Sequence, residues 1–281
     1  MLAGAGSVIF GLLSAAVWGA GDFCGGLAAR RAASTYAVVI GSQLVGILLV
    51  LGLALGLREP LPPAVSWLWG ALAGWAGAIG LLALYRALAS GRMGVAAPLS
   101  AVFAAALPVA AAALAQGLPS ALTLAGFGLA LTGVWLLSRP AGAVPFAWRD
   151  LGLPLLAGTG FGLFFVFIAL AGQAATFWPL VASRSASLAL MLAITAAARQ
   201  APLPERPAWP LAALSGLLDA CGNACFALAA QAGRLDVAAV LSSLYPASTV
   251  LLAVLVLKER FTRLQVAGIA AALAAIVLIA W

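Results

Sequence analysis

The sequence predicts an all-α integral membrane protein, ten transmembrane helices arranged as two inverted five-helix repeats. Three observations predict it. Of 281 residues, 65% are hydrophobic and only 7% charged, with mean hydropathy +1.16; a soluble domain carries about 25% charged residues, so this chain cannot cover a water-facing surface. Polar or proline-bearing breaks cut it into ten apolar stretches near the roughly 20 residues that span a bilayer. The third observation is self-similarity. Gly91-Arg92 lines up with Gly233-Arg234 (233 − 91 = 142), and at the same offset Val95-Ala96-Ala97 falls on Val237-Ala238-Ala239, Leu99-Ser100 on Leu241-Ser242, Phe103 on Tyr245 and Gly126 on Gly268. Between 67–138 and 209–280, 22 of 72 positions are identical, roughly twice the chance level for so Ala/Leu-rich a chain.

The elements follow in order. Span 1 (7–29) lacks the basic n-region of a signal peptide, and Trp18 and Asp22 interrupt its apolar run, so it reads as a mature helix. Span 2 (35–57) contains Gln43. Span 3 (66–90) carries Gly70, Gly74, Gly77 and Gly80, spaced to let neighbouring helices approach closely. Span 4 (94–115) includes Pro98 and Pro108, each of which removes a backbone donor and favours a kink. Span 5 covers 120–138. The Pro- and Gly-rich stretch 139–150 then divides the chain. Span 6 (151–172) repeats the small-residue pattern with Gly158, Gly160 and Gly162, and its Leu155-Leu156 through Phe161-Gly162 resembles Leu12-Leu13 through Trp18-Gly19. Span 7 (177–198) holds Arg184, span 8 (209–232) Asp219 and Asn223, and span 9 (236–257) Pro246. Span 10 is 263–280. The domain reading is a first repeat at 1–138, a cytoplasmic linker at 139–150 and a second repeat at 151–281.

Charge sets the topology. Loops and helix ends after spans 1, 3, 5, 7 and 9 hold 11 basic residues: Arg30, Arg31, Arg86, Arg92, Arg139, Arg149, Arg199, Arg206, Lys258, Arg260 and Arg263. The opposite loops hold 2, Arg58 and Arg234. This positive-inside split places the odd loops in the cytoplasm and both termini outside. It also accounts for the net charge of +7 without a nucleic-acid partner. Five spans per repeat, an odd number, make the second copy enter the membrane from the opposite side. Two inverted copies around one centre can exchange conformations and open a site alternately to each face, which is the logic of a carrier.

Several chemistries are excluded. The chain has no histidine, so His-based metalloprotease motifs and Ser-His-Asp triads are absent. No Gly-x-x-x-x-Gly-Lys-[Ser/Thr] loop is present, so transport runs on a substrate or ion gradient rather than ATP. Cys221 and Cys225 share a helix face with only Asp219 near them, and read as small packing residues rather than metal ligands. No catalytic residue, cofactor or metal is expected.

Ionisable residues inside spans are costly and face a cavity or a partner. Asp22, Arg184 and Asp219 are the three deep ones. One reading has either acid holding a substrate amine or proton and Arg184 a carboxylate; the other pairs Arg184 with Asp22 or Asp219 in an internal salt bridge. Asp219 and Asn223 share a face at i,i+4, positioned to orient an ammonium or water, and Gln43 is placed in span 2 as Arg184 is in span 7. Trp18, Trp75, Phe103, Phe161, Phe165 and Tyr245, with Phe164, lie inside spans and are candidates to line a pocket for a flat substrate. Packing or lipid contact is the alternative for each. Ser100 and Ser242 offer polar contacts, or bond back to their own helices.

Leu244-Tyr245-Pro246, Leu257-Lys258-Glu259-Arg260-Phe261-Thr262 and Gln265-Val266-Ala267-Gly268 resemble the end of an EamA-type member of the drug/metabolite transporter superfamily. Trp18-Gly19, and Tyr85-Arg86-Ala87-Leu88 before Gly91-Arg92, fit the same pattern. The first half departs from it, with Gln116-Gly117 where the second has Lys258-Glu259. Within that superfamily the chain looks most like the YddG-type exporters of aromatic amino acids. The resemblance implies a ten-helix carrier whose central site is lined by spans 1, 3, 4, 6, 8 and 9, with spans 5 and 10 peripheral. The expectation is an inner-membrane exporter of amino acids, hydrophobic and aromatic ones favoured, or of similar small metabolites, working by alternating access as a monomer or weak homo-oligomer in the lipid bilayer. The alternative is a proton-coupled exporter of lipophilic cations; an intramembrane enzyme or a receptor is the outlying class.

Overall fold

The computed structural model describes residues 2–89, 93–138, 151–258 and 262–280. They form α1 (Leu2–Ala29), α2 (Thr35–Gly56), α3 (Ala64–Ala89), α4 (Met93–Gln116), α5 (Ala121–Leu137), α6 (Gly152–Ala171), α7 (Phe177–Ala197), α8 (Trp209–Ala232), α9 (Leu235–Ser242), α10 (Tyr245–Leu257) and α11 (Arg263–Ala280), with no strand among them. Among the described residues, nine segments, with Leu235–Leu257 taken as one, are long and apolar enough to cross a membrane, and α5 is a shorter apolar helix. The chain is an all-helical, multi-span protein. The linker 139–150, and with it the charges at Arg139 and Arg149, lies outside the described residues, as do Arg92, Glu259 and Arg260.

One expected span is broken. Span 9 divides into α9 and α10, joined through Ser243 and Leu244. Pro246 has no N–H to give the Ser242 carbonyl, and the backbone tightens instead: the Leu244 N–H bonds Leu241 O at 3.2 Å and the Ala247 N–H bonds Leu244 O at 2.9 Å, both three-residue closures. In the equivalent helix α4, Ala104 stands where Pro246 would, and that helix continues through positions 98 and 108.

The two halves pack through contacts that recur in pairs. An added Cβ on Gly126 of α5 would meet Ala275 O of α11 at 3.3 Å, and one on Gly268 of α11 would meet Gly133 O of α5 at 2.9 Å. Each pair maps on the other by the offset (126 + 142 = 268; 133 + 142 = 275). As the α5 number rises the α11 number falls, so these equivalent helices run antiparallel and the repeats are inverted. Gly74 of α3 lies against Ser183 O of α7, as Gly216 of α8 does against Ser42 O of α2. Gly222 of α8 packs on the Trp18 ring of α1, and Gly80 of α3 on Phe161 of α6. These approaches leave no room for a side chain, which is why glycine recurs at matching places.

The turns repeat too. Arg58 and Arg199, 141 apart, both take left-handed φ values, 52° and 51°. Each ends its helix with the same pair of bonds, Glu59 N–H to Ala54 O at 2.9 Å and Gln200 N–H to Thr195 O at 3.1 Å being equivalent. The loops between α2 and α3, α4 and α5, α6 and α7, and α8 and α9 share one rim, opposite the rim that carries most of the basic residues. Strong ties cross this opposite rim. The Glu59 carboxylate accepts the Thr176, Phe177 and Trp178 N–H groups at 2.6–3.2 Å. Gln231 donates to Gly172 O at 2.7 Å. Arg234 donates to Gly117 O and to the fully buried Asp236, both at 2.7 Å; the Asp236 hydrogen bond lifts the Arg234 guanidinium above its ordinary pKa.

Candidate substrate-binding site

Where α1 crosses α8, small residues bring the backbones together, and the polar interior is built on that crossing. A Cβ on Gly21 would lie 3.3 Å from Asp219 N, so Asp22 of α1 and Asp219 of α8 sit at one depth, close enough for their charges to interact. Asp219 Oδ2 lies 2.5 Å from Arg184 Nη2 of α7. The neighbouring Nη1 donates to Gln43 Oε1 of α2 at 2.6 Å, and Gln43 Nε2 donates to Ser187 Oγ at 2.8 Å. Asp219, Arg184, Gln43 and Ser187 thus form one chain across three helices. Arg184 is buried, and its Nε has no partner among the described residues.

The two acids differ in state. Asp219 is paired, yet its side chain remains 43% exposed. Asp22 is also exposed and has neither a hydrogen bond nor an ion pair among the described residues. The phenol of Tyr245, at the start of α10, lies within electrostatic reach of it. With Arg184 paired to Asp219, Asp22 is left as the carboxylate of the set that has no cationic partner among the described residues.

Beside the acids stands an aromatic cluster. Trp18 stacks on Phe165 at 5.7 Å and on Phe226 at 5.9 Å, and Phe165 and Phe226 are 4.5 Å apart. The Trp18 indole donates to Asn223 Oδ1 at 2.9 Å, which fixes the ring and occupies Asn223. Phe226 is fully buried. It was not among the expected site residues, although it follows Asp219 and Asn223 at i+7 and i+3 on the same face of α8.

Other expected residues lie elsewhere. Trp75 is 53% exposed, on a stripe of α3 shared with Leu68 and Ile79. Phe161 packs at Gly80 and Phe103 at Gly158, both in the α3–α6–α4 contacts. Ser242 Oγ donates to Gly11 O of α1 and Ser100 Oγ to Pro154 O of α6. These bonds are repeat-equivalent (100 + 142 = 242; 11 + 143 = 154) and fasten each half to the first helix of the other. A separate cleft of about 700 Å³ opens between α4, α6, α8 and α9 near the opposite rim, with Gln116, Gln173 and Gln231 among alanines in its wall.

Residues 150–281 match the EamA-like transporter family. This EamA-like half supplies Arg184, Asp219, Asn223, Phe165 and Phe226, and the preceding half supplies Trp18, Asp22 and Gln43. A solved crystal structure, 19% identical, covering 97% of this chain and 95% of its own, superposes with a TM-score of 0.76 and shows the same fold. No curated protein matches the chain.

Proposed function

We propose that the protein is an inner-membrane carrier that exports amino acids, hydrophobic and aromatic ones favoured, or similar small metabolites, by alternating access and without ATP. The observation that carries this reading is a polar set within the spans, Asp22 and the Asp219–Arg184–Gln43 chain, drawn from both inverted halves and with both carboxylates accessible. Inverted-repeat carriers place their sites at such an interface. Span 9 breaks just before Tyr245, whose carbonyl lies against Gly19 of α1, three residues from Asp22, and the match of residues 150–281 to a transporter family agrees. Trp18, held by Asn223, offers an aromatic wall beside a carboxylate that suits a substrate ammonium. The positive-inside split puts the basic rim in the cytoplasm and both termini outside.

A second reading has specific support. Arg184 is occupied by Asp219 and Gln43 and Asp22 is unpaired, a balance that favours a lipophilic cation exchanged for protons. Proteoliposomes preloaded in turn with single unlabelled amino acids and with tetraphenylphosphonium separate the two. Uptake of labelled L-phenylalanine stimulated by large apolar amino acids supports the first reading; phosphonium flux with no amino-acid exchange supports the second.

A further inference from the structure

The cleft at the opposite rim carries one step further, resting on the carrier reading. Its volume of about 700 Å³ lies within the roughly 300–1,000 Å³ of sites that take small molecules. It is separate from the polar set. Along α8 the order is Asp219, Asn223, Phe226, and then Ala230 and Gln231 in the cleft wall; at 1.5 Å per residue, Ala230 stands about 16 Å beyond Asp219. Along α6, Phe165 precedes Val166, Ala169 and Gly172 of the wall. The stacked trio of Trp18, Phe165 and Phe226 is therefore a partition, with the acids on one side and the cleft on the other.

Inverted repeats would give the basic rim the same cleft if the residues matched, and they do not. Gly222 packs on Trp18 as Gly80 packs on Phe161, and Ser242 bonds Gly11 as Ser100 bonds Pro154. These contacts set an offset of 143 between α1 and α6 (161 − 18 = 143; 154 − 11 = 143). They set 142 between α3 and α8 (222 − 80 = 142) and between α4 and α9–α10 (242 − 100 = 142). By those offsets Ala112, Ala115 and Ala230 of the wall correspond to Val254, Leu257 and Leu88, and Val166 to Phe23. Ala111 corresponds to another alanine, Ala253, and Ala169 to Gly26. The polar wall changes as well: Gln116 corresponds to Lys258 and Gln173 to Arg30. Where one rim has small residues and amides, the other has larger apolar residues and cations.

Two of the amides are available to a ligand. Gln231 is engaged, donating to Gly172 O at 2.7 Å and meeting the Thr176 hydroxyl at 3.1 Å. The Gln116 and Gln173 side chains are exposed and make no hydrogen bond among the described residues. Each offers a carbonyl acceptor and two N–H donors, so the pair serves an ammonium and a carboxylate alike. Among the described residues the lining holds no charged side chain, and its alanines suit an apolar remainder. We propose that this cleft is a second substrate site, a station beyond the aromatic partition that takes zwitterionic amino acids with apolar side chains, their charged ends held by Gln116 and Gln173. The basic rim does not repeat it, so the route through the protein has one such stop, on the side of release.

The test reads occupancy of the cleft rather than flux. With Cys24, Cys221 and Cys225 replaced by alanine, Ala115→Cys places a thiol in the cleft wall. Arg58→Cys, made separately in the same background, places one on the same rim outside the cleft. In nanodiscs, saturating L-phenylalanine should slow alkylation at position 115 several-fold and leave position 58 unchanged. Tetraphenylphosphonium and N-acetyl-L-phenylalanine, a cation and an anion, should protect neither. Protection should persist in Asp22→Asn, which breaks no bond among the described residues. It should vanish in Gln116→Leu/Gln173→Leu, and in Ala230→Leu, which puts the residue of the corresponding position into the cleft. No protection by L-phenylalanine, or protection that needs Asp22 or survives either cleft variant, overturns the proposal. Protection by either charged probe overturns the zwitterion assignment, and a thiol at 115 that stays blocked until detergent strips the lipid makes the cleft a lipid site instead. Counterflow with the same preparations tests the carrier reading separately: saturable exchange without protection removes the cleft site and leaves the carrier, and protection without exchange does the reverse.

Discussion

Glu59 should anchor α7 from the other half of the molecule, and its removal gives a magnitude that can be worked out. Its carboxylate accepts three backbone N–H groups from Thr176, Phe177 and Trp178, the donors an α-helix leaves unpaired at its start. Loss of a capping side chain costs about 1 kcal/mol, and a negative charge at a helix N-terminus is worth a further 0.3–1 kcal/mol or so. The three donors are only partly buried, so water recovers some of the loss. Glu59→Ala should therefore lower stability by about 2 kcal/mol, and Glu59→Gln, which keeps one acceptor oxygen but no charge, by about 1 kcal/mol. The bond from the Trp178 indole to the Glu59 carbonyl survives both changes. Denaturant titration in mixed micelles, followed by tryptophan fluorescence, measures the difference. An Ala variant within about 0.3 kcal/mol of the parent would refute the claim that this contact holds α7.

Further outcomes follow from the same packing. Gly74→Ala and Gly216→Ala press a methyl on Ser183 O and Ser42 O and should each cost about 1–3 kcal/mol, while Gly128→Ala, with open space around its Cβ, should be neutral or gain up to about 1 kcal/mol; the same titration ranks them. Arg184→Leu leaves Asp219 unpaired and should destabilise by roughly 2 kcal/mol, less than for a fully buried pair because Asp219 is 43% exposed. Adding Asp219→Leu should recover much of that loss, and a strictly additive double mutant counts against the pair. For topology, Arg58→Cys should react with an impermeant thiol reagent from outside intact cells and Arg31→Cys should not; the reverse pattern inverts the orientation.

Most of the architecture could be read from the chain because bilayer thickness leaves few choices. Helix boundaries at Gly56, Leu137, Ala171 and Ala197 fall one residue from the expected span ends, since each span stops where charge, proline or glycine begins. The break in span 9 was foreshadowed by Pro246, but nothing in local sequence separated it from Pro98 and Pro108, through which α4 continues. The candidate site was only half legible. Intramembrane charge pointed to Asp22, Arg184 and Asp219, but which acid Arg184 would choose depends on the distance between α7 and α8, a tertiary quantity. The aligned serines suggested a shared role, and their hydroxyls turn out to bond the opposing half across the two-fold. Glu59 escaped notice because positive charges alone set the topology argument, and a cap supplied from 117 residues away leaves no local pattern.

The most direct test of the central claim is trans-stimulation. Proteoliposomes holding the purified protein, without ATP, take up labelled L-phenylalanine with the same unlabelled amino acid inside or absent. A carrier that alternates about one central site predicts saturable uptake, faster when the interior is loaded. Uptake that rises linearly with concentration and ignores the interior load would contradict it.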